Sequence, residues 1–192
     1  YSGHKGKGYS MQIAETCAEG DPVRVITEVE VTPACKSDAK ATVPTVDALV
    51  AAGIAPRELA ADTGYSGASN AAKLSLRGVN LTAPAPAMGK PDPEQKYPPP
   101  AHKCPIDARR AGEWLRCQEA APDFRTRYAI RAGIESTNSE MKRVQGLGKL
   151  RVRGGPRVRL AAYFKALACN VKRALRYWTE MQAPVEGAVP LG

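Results

Sequence analysis

Residues 59–83, LAADTGYSGASNAAKLSLRGVNLTA, carry the reading that decides the fold class. Residues 59–62 are a short apolar run, 69–77 read as a helix closed by Gly78, and 79–83 form a second apolar run. A strand, a helix and a strand joined this tightly imply two parallel strands with a right-handed crossover, and so an α/β protein. Asp62 is then expected at the carboxyl end of its strand, with Thr63-Gly64-Tyr65 turning away from it. Open α/β sheets bind ligands at that edge. Capping the turn is the simpler role for the same aspartate.

Upstream, residues 9–17 and 23–31 read as two strands joined by Glu19-Gly20-Asp21-Pro22, an antiparallel hairpin. In the second strand Val23, Val25, Val29 and Val31 alternate with Arg24, Glu28 and Glu30, the period-2 pattern of a half-buried strand. Thr42-Val43-Pro44 opens a helix with Val46, Leu49 and Val50 as its apolar stripe and Gly53 where a cap belongs. Downstream, residues 83–101 hold seven of the chain's 16 prolines. Proline removes backbone donors, so this stretch is a loop and opens an insertion over 84–124. Two helices follow, at 126–145 and from Pro156 to 178. In the second, Phe164, Leu167, Ala168, Val171, Leu175 and Trp178 follow three-four spacing and are expected to face the core. Tyr163, Tyr177 and Trp178 read as core or rim packing, with base stacking as the alternative.

The chain has 192 residues, 43% of them hydrophobic, enough for one domain with a sizeable core. No apolar run approaches a membrane span. No charged-then-apolar leader opens the chain, which argues against secretion. Five scattered cysteines do not make a disulfide framework, so a reducing cytoplasm is expected. Residues 125–178 hold 14 basic and two acidic side chains, +12, which leaves −3 for the rest of a chain whose formal net charge is +9. A basic third on a mildly acidic body points to a polyanion, most simply a nucleic acid; a solvated basic face is the plainer alternative. The glycine-rich stretch 146–155, with Lys149, Arg151 and Arg153, suits a mobile arm against phosphates.

The sharpest pattern is Tyr128-x2-Arg131-x3-Glu135-x6-Lys142. On a continuous helix those offsets return near one face, so Arg131, Glu135 and Lys142 are expected on one side, with Asn138 and Ser139 between them. A lone carboxylate among cations is either a salt-bridge partner of Arg131 or a metal ligand beside phosphate-binding groups. The four residues and their spacing resemble the Tyr-Arg-Glu-Lys branch of the DDE-class insertion-sequence transposases. Ala61-Asp62-Thr63-Gly64-Tyr65 is similar to the family's second-aspartate strand end, and His4-Lys5-Gly6-Lys7-Gly8-Tyr9 to the lead into its central hairpin. Asn170-x2-Arg173 is also reminiscent of the family.

The resemblance implies a ribonuclease-H-like fold, a mixed sheet flanked by helices, with residues 1–83 as its core, 84–124 as a proline-rich insertion, 125–179 as the completing helices and 180–192 as a tail. It implies Asp62 and Glu135 as catalytic ligands of a two-metal Mg²⁺ or Mn²⁺ site, carboxylates being suited to hard cations. Tyr128, Arg131, Lys142, Arg143, Lys149, Arg151 and Arg153 become DNA contacts, with double-stranded transposon ends as substrate. A homodimer and a bacterial-type, nucleoid-associated location belong to the same implication. The family's first aspartate lies on a strand before the segment with which this chain begins. Asp21, Asp38 and Asp47 fall in a turn, a loop and a helix, so they are not substitutes. The chain is therefore expected to be a fragment or the product of a decayed gene, unable by itself to cut DNA. A non-catalytic nucleic-acid binder is the rival. His102, Cys104 and Cys117 are zinc-type ligands without paired spacing, so zinc is not expected.

Overall fold

The computed structural model describes residues 8–17, 20–21, 23–86 and 101–182. The lead at 4–7, including His4, the proline-dense 87–100 and the tail from 183 lie outside them.

The hairpin forms as its alternation predicts. Strand β1 (Tyr9–Glu15) pairs antiparallel with β2 (Ile26–Pro33), with Met11 opposite Val31 and Ile13 opposite Val29. The ladder skips Thr27, because Ala14 faces Glu28 whereas Glu15 faces Ile26. That extra residue is a β-bulge, and it rephases the strand. Ile26, Val29 and Val31 are buried, while Val25 turns outward. The expectation that Val23 and Val25 share the face of Val29 and Val31 is thus corrected at the bulge.

Helix α1 (Thr42–Ala51) buries Val46 and Leu49 but exposes Val50, and Gly53 closes it at φ +74°. Left-handed backbone of this kind is easiest for glycine. Strand β3 (Glu58–Ala60), helix α2 (Ala68–Ser75) and strand β4 (Asn80–Thr82) are the expected unit, and β3 runs parallel to β4. Residues within the stretch read as an insertion form helix α3 (Ala108–Ala120). Asp107 caps it by accepting from the Arg109 N–H at 3.0 Å. Ala111, Trp114 and Leu115 share one apolar face, packed with Ala71, Leu74, Val79 and Leu81. Part of the insertion is therefore core.

The helix expected at 126–145 is broken. Helix α4 (Phe124–Ala129) passes through a 3-10 turn at Ile130–Ala132 into α5 (Gly133–Arg143). Helix α6 (Gly155–Gln182) then buries Val158, Ala162, Ala166 and Cys169 against Ile26, Val29, Val31 and Met141. This corrects the expected orientation: Phe164, Leu167, Ala168, Val171, Leu175 and Trp178 are exposed. Small side chains let the helix come close to β2, and Asn170 exploits that approach. Its amide accepts from the Ile26 N–H and donates to the Ile26 C=O, both at 2.8 Å.

Among the described residues the β1–β2 and β3–β4 pairs form two separate two-stranded sheets, where one mixed sheet was expected. Gly8 C=O accepts from Ala34 N–H, so alternate β1 residues face β2 and the main chains of Met11 and Ile13 face away. Asn80 N–H donates to Arg57 C=O and Ala61 N–H to Thr82 C=O, which leaves Glu58 and Ala60 as the open edge of β3. A cavity of about 340 Å³ lies between these two unpaired edges.

Replacing Asn170 with Ala strands two Ile26 backbone groups, at about 1–3 kcal/mol for each buried group left unpaired. Urea unfolding of Asn170→Ala is expected to show a loss of about 2–4 kcal/mol.

Candidate active site

Asp62 stands just past β3 and orders its own turn: Oδ1 accepts from the Gly64 N–H at 2.8 Å, while Tyr65 and Ser66 N–H donate to its carbonyl. The turn-capping role is real, and it leaves Oδ2 available. Arg131 Nη2 reaches Oδ2 at 3.5 Å, and Nη1 donates to Glu135 Oε1 at 3.2 Å. One guanidinium thus gathers two carboxylates that are distant in sequence. Both acids remain open to solvent, at 43% and 67% side-chain exposure.

Tyr128 positions that guanidinium. Its ring stacks on Phe124 with centroids 5.4 Å apart, and Arg131 Cζ lies 5.8 Å from the Tyr128 centroid. Such a cation–π contact favours one orientation of the arginine fork. Burial pushes the Tyr128 hydroxyl upward, and the Arg131 charge partly opposes this. Tyr65 is carried to about 12 by burial, with Asp38 and Asp62 adding to the rise.

Lys142 does not join Arg131 and Glu135. It lies on the last turn of α5, seven residues and so roughly 10 Å along the axis from Glu135. Arg143 is beside it, and both are exposed. The 146–154 arm is pinned and not free: Leu147 and Leu150 pack on the hairpin core, while Lys149, Arg151 and Arg153 face solvent. Lys165 also donates to the Gln145 carbonyl at its base.

Beneath the site lies a polar knot that motif spacing did not reveal. Glu15 is 3% exposed and pairs with Arg173 at 3.3 Å and Arg24 at 3.6 Å, and it accepts from the Thr137 hydroxyl. Arg173 continues to Glu140 at 3.2 Å and to the Arg24 carbonyl at 3.0 Å. A Cβ on Gly133 would fall on the Arg24 guanidinium, so any larger residue there would have to displace Arg24 where it crosses the start of α5. The only sequence signal was Asn170-x2-Arg173, which proves to be a clamp on the hairpin and on α5. Arg127 likewise pins α4 to β3 through Glu58 at 2.8 Å and contacts Asp123 at 3.6 Å.

The donor set is hard oxygen, which fits a hard divalent cation. Among the described residues no group of three His, Cys, Asp or Glu could hold a metal ion. Asp38 accepts from Gln12 and Asp47 pairs with Arg77. Cys104 and Cys117 are buried thiols raised by desolvation, Cys104 to about 11, and His102 is exposed.

Residues 1–171 match the model of the transposase DDE domain. The chain belongs to that family. Transposition of DNA is accordingly the setting of its chemistry, and the family works with divalent metal ions. No curated protein and no solved structure matches the chain. Among the described residues no helix is long and apolar enough to cross a membrane.

Burial alone would raise the Glu140 carboxyl, but hydrogen bonds from Lys172, Cys169 and Arg173 outweigh it and hold the group below its ordinary 4.5. A depressed folded pKa stabilises above the unfolded value and is lost as pH falls through the folded one. The stability gap between the native chain and Glu140→Gln is therefore expected to be full near neutrality and to shrink below about 4.5. Urea unfolding across that window measures it.

Proposed function

We propose that this chain is the catalytic part of an insertion-sequence transposase of the Tyr-Arg-Glu-Lys branch, acting on double-stranded transposon ends. The observation that carries the reading is the convergence of Asp62 and Glu135 on Arg131 beside an open slot. Asp62 and Glu135 are the residues that would hold Mg²⁺ or Mn²⁺. When bound, the metal supplies Lewis acidity for attack on a phosphodiester by water or a 3′-hydroxyl. Arg131 bridges the acid pair and offsets one of its two charges, and its guanidinium suits a phosphate oxygen once a cation relieves it of that task. Tyr128 serves as the positioning residue for Arg131. Lys142, Arg143, Lys149, Arg151 and Arg153 make a basic track for the DNA backbone on α5 and the arm after it.

The third acid belongs on an extended segment in the slot between β1 and β3. Two facing unpaired edges support this, since a strand there would satisfy both and join the half-sheets into one ribonuclease-H-like sheet. Residues 1–83 and 125–179 would then form one catalytic core. Without that segment the chain binds DNA and does not cleave it. The lack of a third acid among the described residues also favours the rival reading, a nucleic-acid binder that uses only the basic third.

The deciding experiment is Glu135→Gln in a protein that includes the slot-filling segment. Metal-dependent strand cleavage is expected to fall by about 10²-fold or more, with DNA affinity kept. Cleavage that survives the change, or strong cleavage by the 192-residue chain alone, would overturn the assignment. A second measurement addresses the track. Replacing Lys149, Arg151 and Arg153 with Ala is expected to flatten the salt dependence of DNA binding, by about 0.9 in the log–log slope for each phosphate no longer neutralised.

A further inference from the structure

Helix α6 has two apolar stripes, and only one is used. Val158, Ala162, Ala166 and Cys169 face the hairpin. On the opposite side Leu160, Phe164, Leu167, Val171, Leu175, Trp178 and Met181 are 49–67% exposed. At 100° per residue these seven fall within one sector, and the sector carries no charge from residue 158 to residue 182.

The size of this face calls for a partner. At roughly 200 Å² for a fully exposed large side chain, the stripe presents roughly 800 Å². The largest apolar patch on a typical monomer is roughly 300–600 Å². A standard protein interface takes about 800 Å² from each side. Beyond Arg173 the helix has no buried residue, yet it continues to Gln182 with Leu175, Trp178 and Met181 outward. An isolated helix end of that kind is marginal in water without tertiary packing.

We propose that the stripe is a homodimer interface in which α6 of one chain packs antiparallel on α6 of a second copy, centred on Val171. An uncharged stripe of even width is self-complementary, which an isologous two-fold contact requires. Antiparallel pairing opposes the helix dipoles favourably. The opposite face, which holds the Arg173 knot, and the basic arm remain free of the contact, so DNA binding and dimerisation are compatible. The proposal names the surface for the expected dimer and stands or falls without DNA or metal.

Sedimentation of the 192-residue chain tests it. At about 50 µM a contact of standard size is expected to give twice the 20.5 kDa chain mass. Val171→Glu sets two carboxylates against each other at the two-fold axis and is expected to weaken the dimer by roughly a hundredfold. Helical circular dichroism should be unchanged, because Val171 lies away from the core. If that variant misfolds, cross-linking decides: in a Cys35→Ser background, Val171→Cys should form a disulfide-linked dimer on mild oxidation and Thr179→Cys should not. A monomer at that concentration overturns the proposal. So does a dimer indifferent to Val171→Glu, or equal cross-linking at both positions. DNA cleavage has no part in these readouts, so their failure is separable from failure of the transposase reading.

Discussion

A carboxylate buried to 3% exposure is costly unless it is paired, and Glu15 meets that demand with Arg173, Arg24 and the Thr137 hydroxyl. Those partners come from the hairpin, α5 and α6, so one desolvated acid makes three elements mutually dependent. Removing a partner would leave a buried charge, which is more damaging than never having built the pair. The knot also constrains the start of α5. Arg24 passes across Gly133, two residues before Glu135, where an added Cβ would displace its guanidinium. The candidate catalytic acid is held on an element whose register this ionic cluster helps to set.

The same cluster explains why α6 turns its small face inward. Asn170 and Arg173 lie on the side of Ala162, Ala166 and Cys169 and need close approach to reach β2 and Glu15. Bulky side chains on that side would hold the helix off and break both contacts. The larger hydrophobic residues are left outside, where only association can remove them from water. Packing of the monomer and the surface offered to a second copy are thus two consequences of one choice of helix face.

At the site itself, attraction and repulsion are balanced by a single cation. Asp62 and Glu135 would repel each other across a shared space, and Arg131 between them attracts both and offsets one of the two charges. Tyr128 limits the freedom of that arginine. The arrangement keeps two carboxylates close and solvated, the donors that the proposed metal site would use. The slot alongside extends from this site to the open edge of the hairpin.

Local pattern in the sequence was sufficient for the hairpin, for α1 and α2, and for the parallel β3–β4 unit that ends at Asp62. Each depends on short-range periodicity and on glycine at positive φ, which neighbouring residues dictate. The motif residues Tyr128, Arg131 and Glu135 were legible for the same reason, since three- and four-residue spacings bring side chains together even through a 3-10 turn. Lys142 was not, because sharing a helix face does not cancel the axial distance. Only tertiary structure decided the bulge at Thr27, the dominant face of α6 and the pairing of Glu15 with Arg173. A bulge is defined by the strand opposite, a helix with two apolar stripes satisfies three-four spacing on both sides, and a buried ion pair joins residues whose separation along the chain carries no period. Those features arise from what each segment must pack against, and no segment contains that information alone.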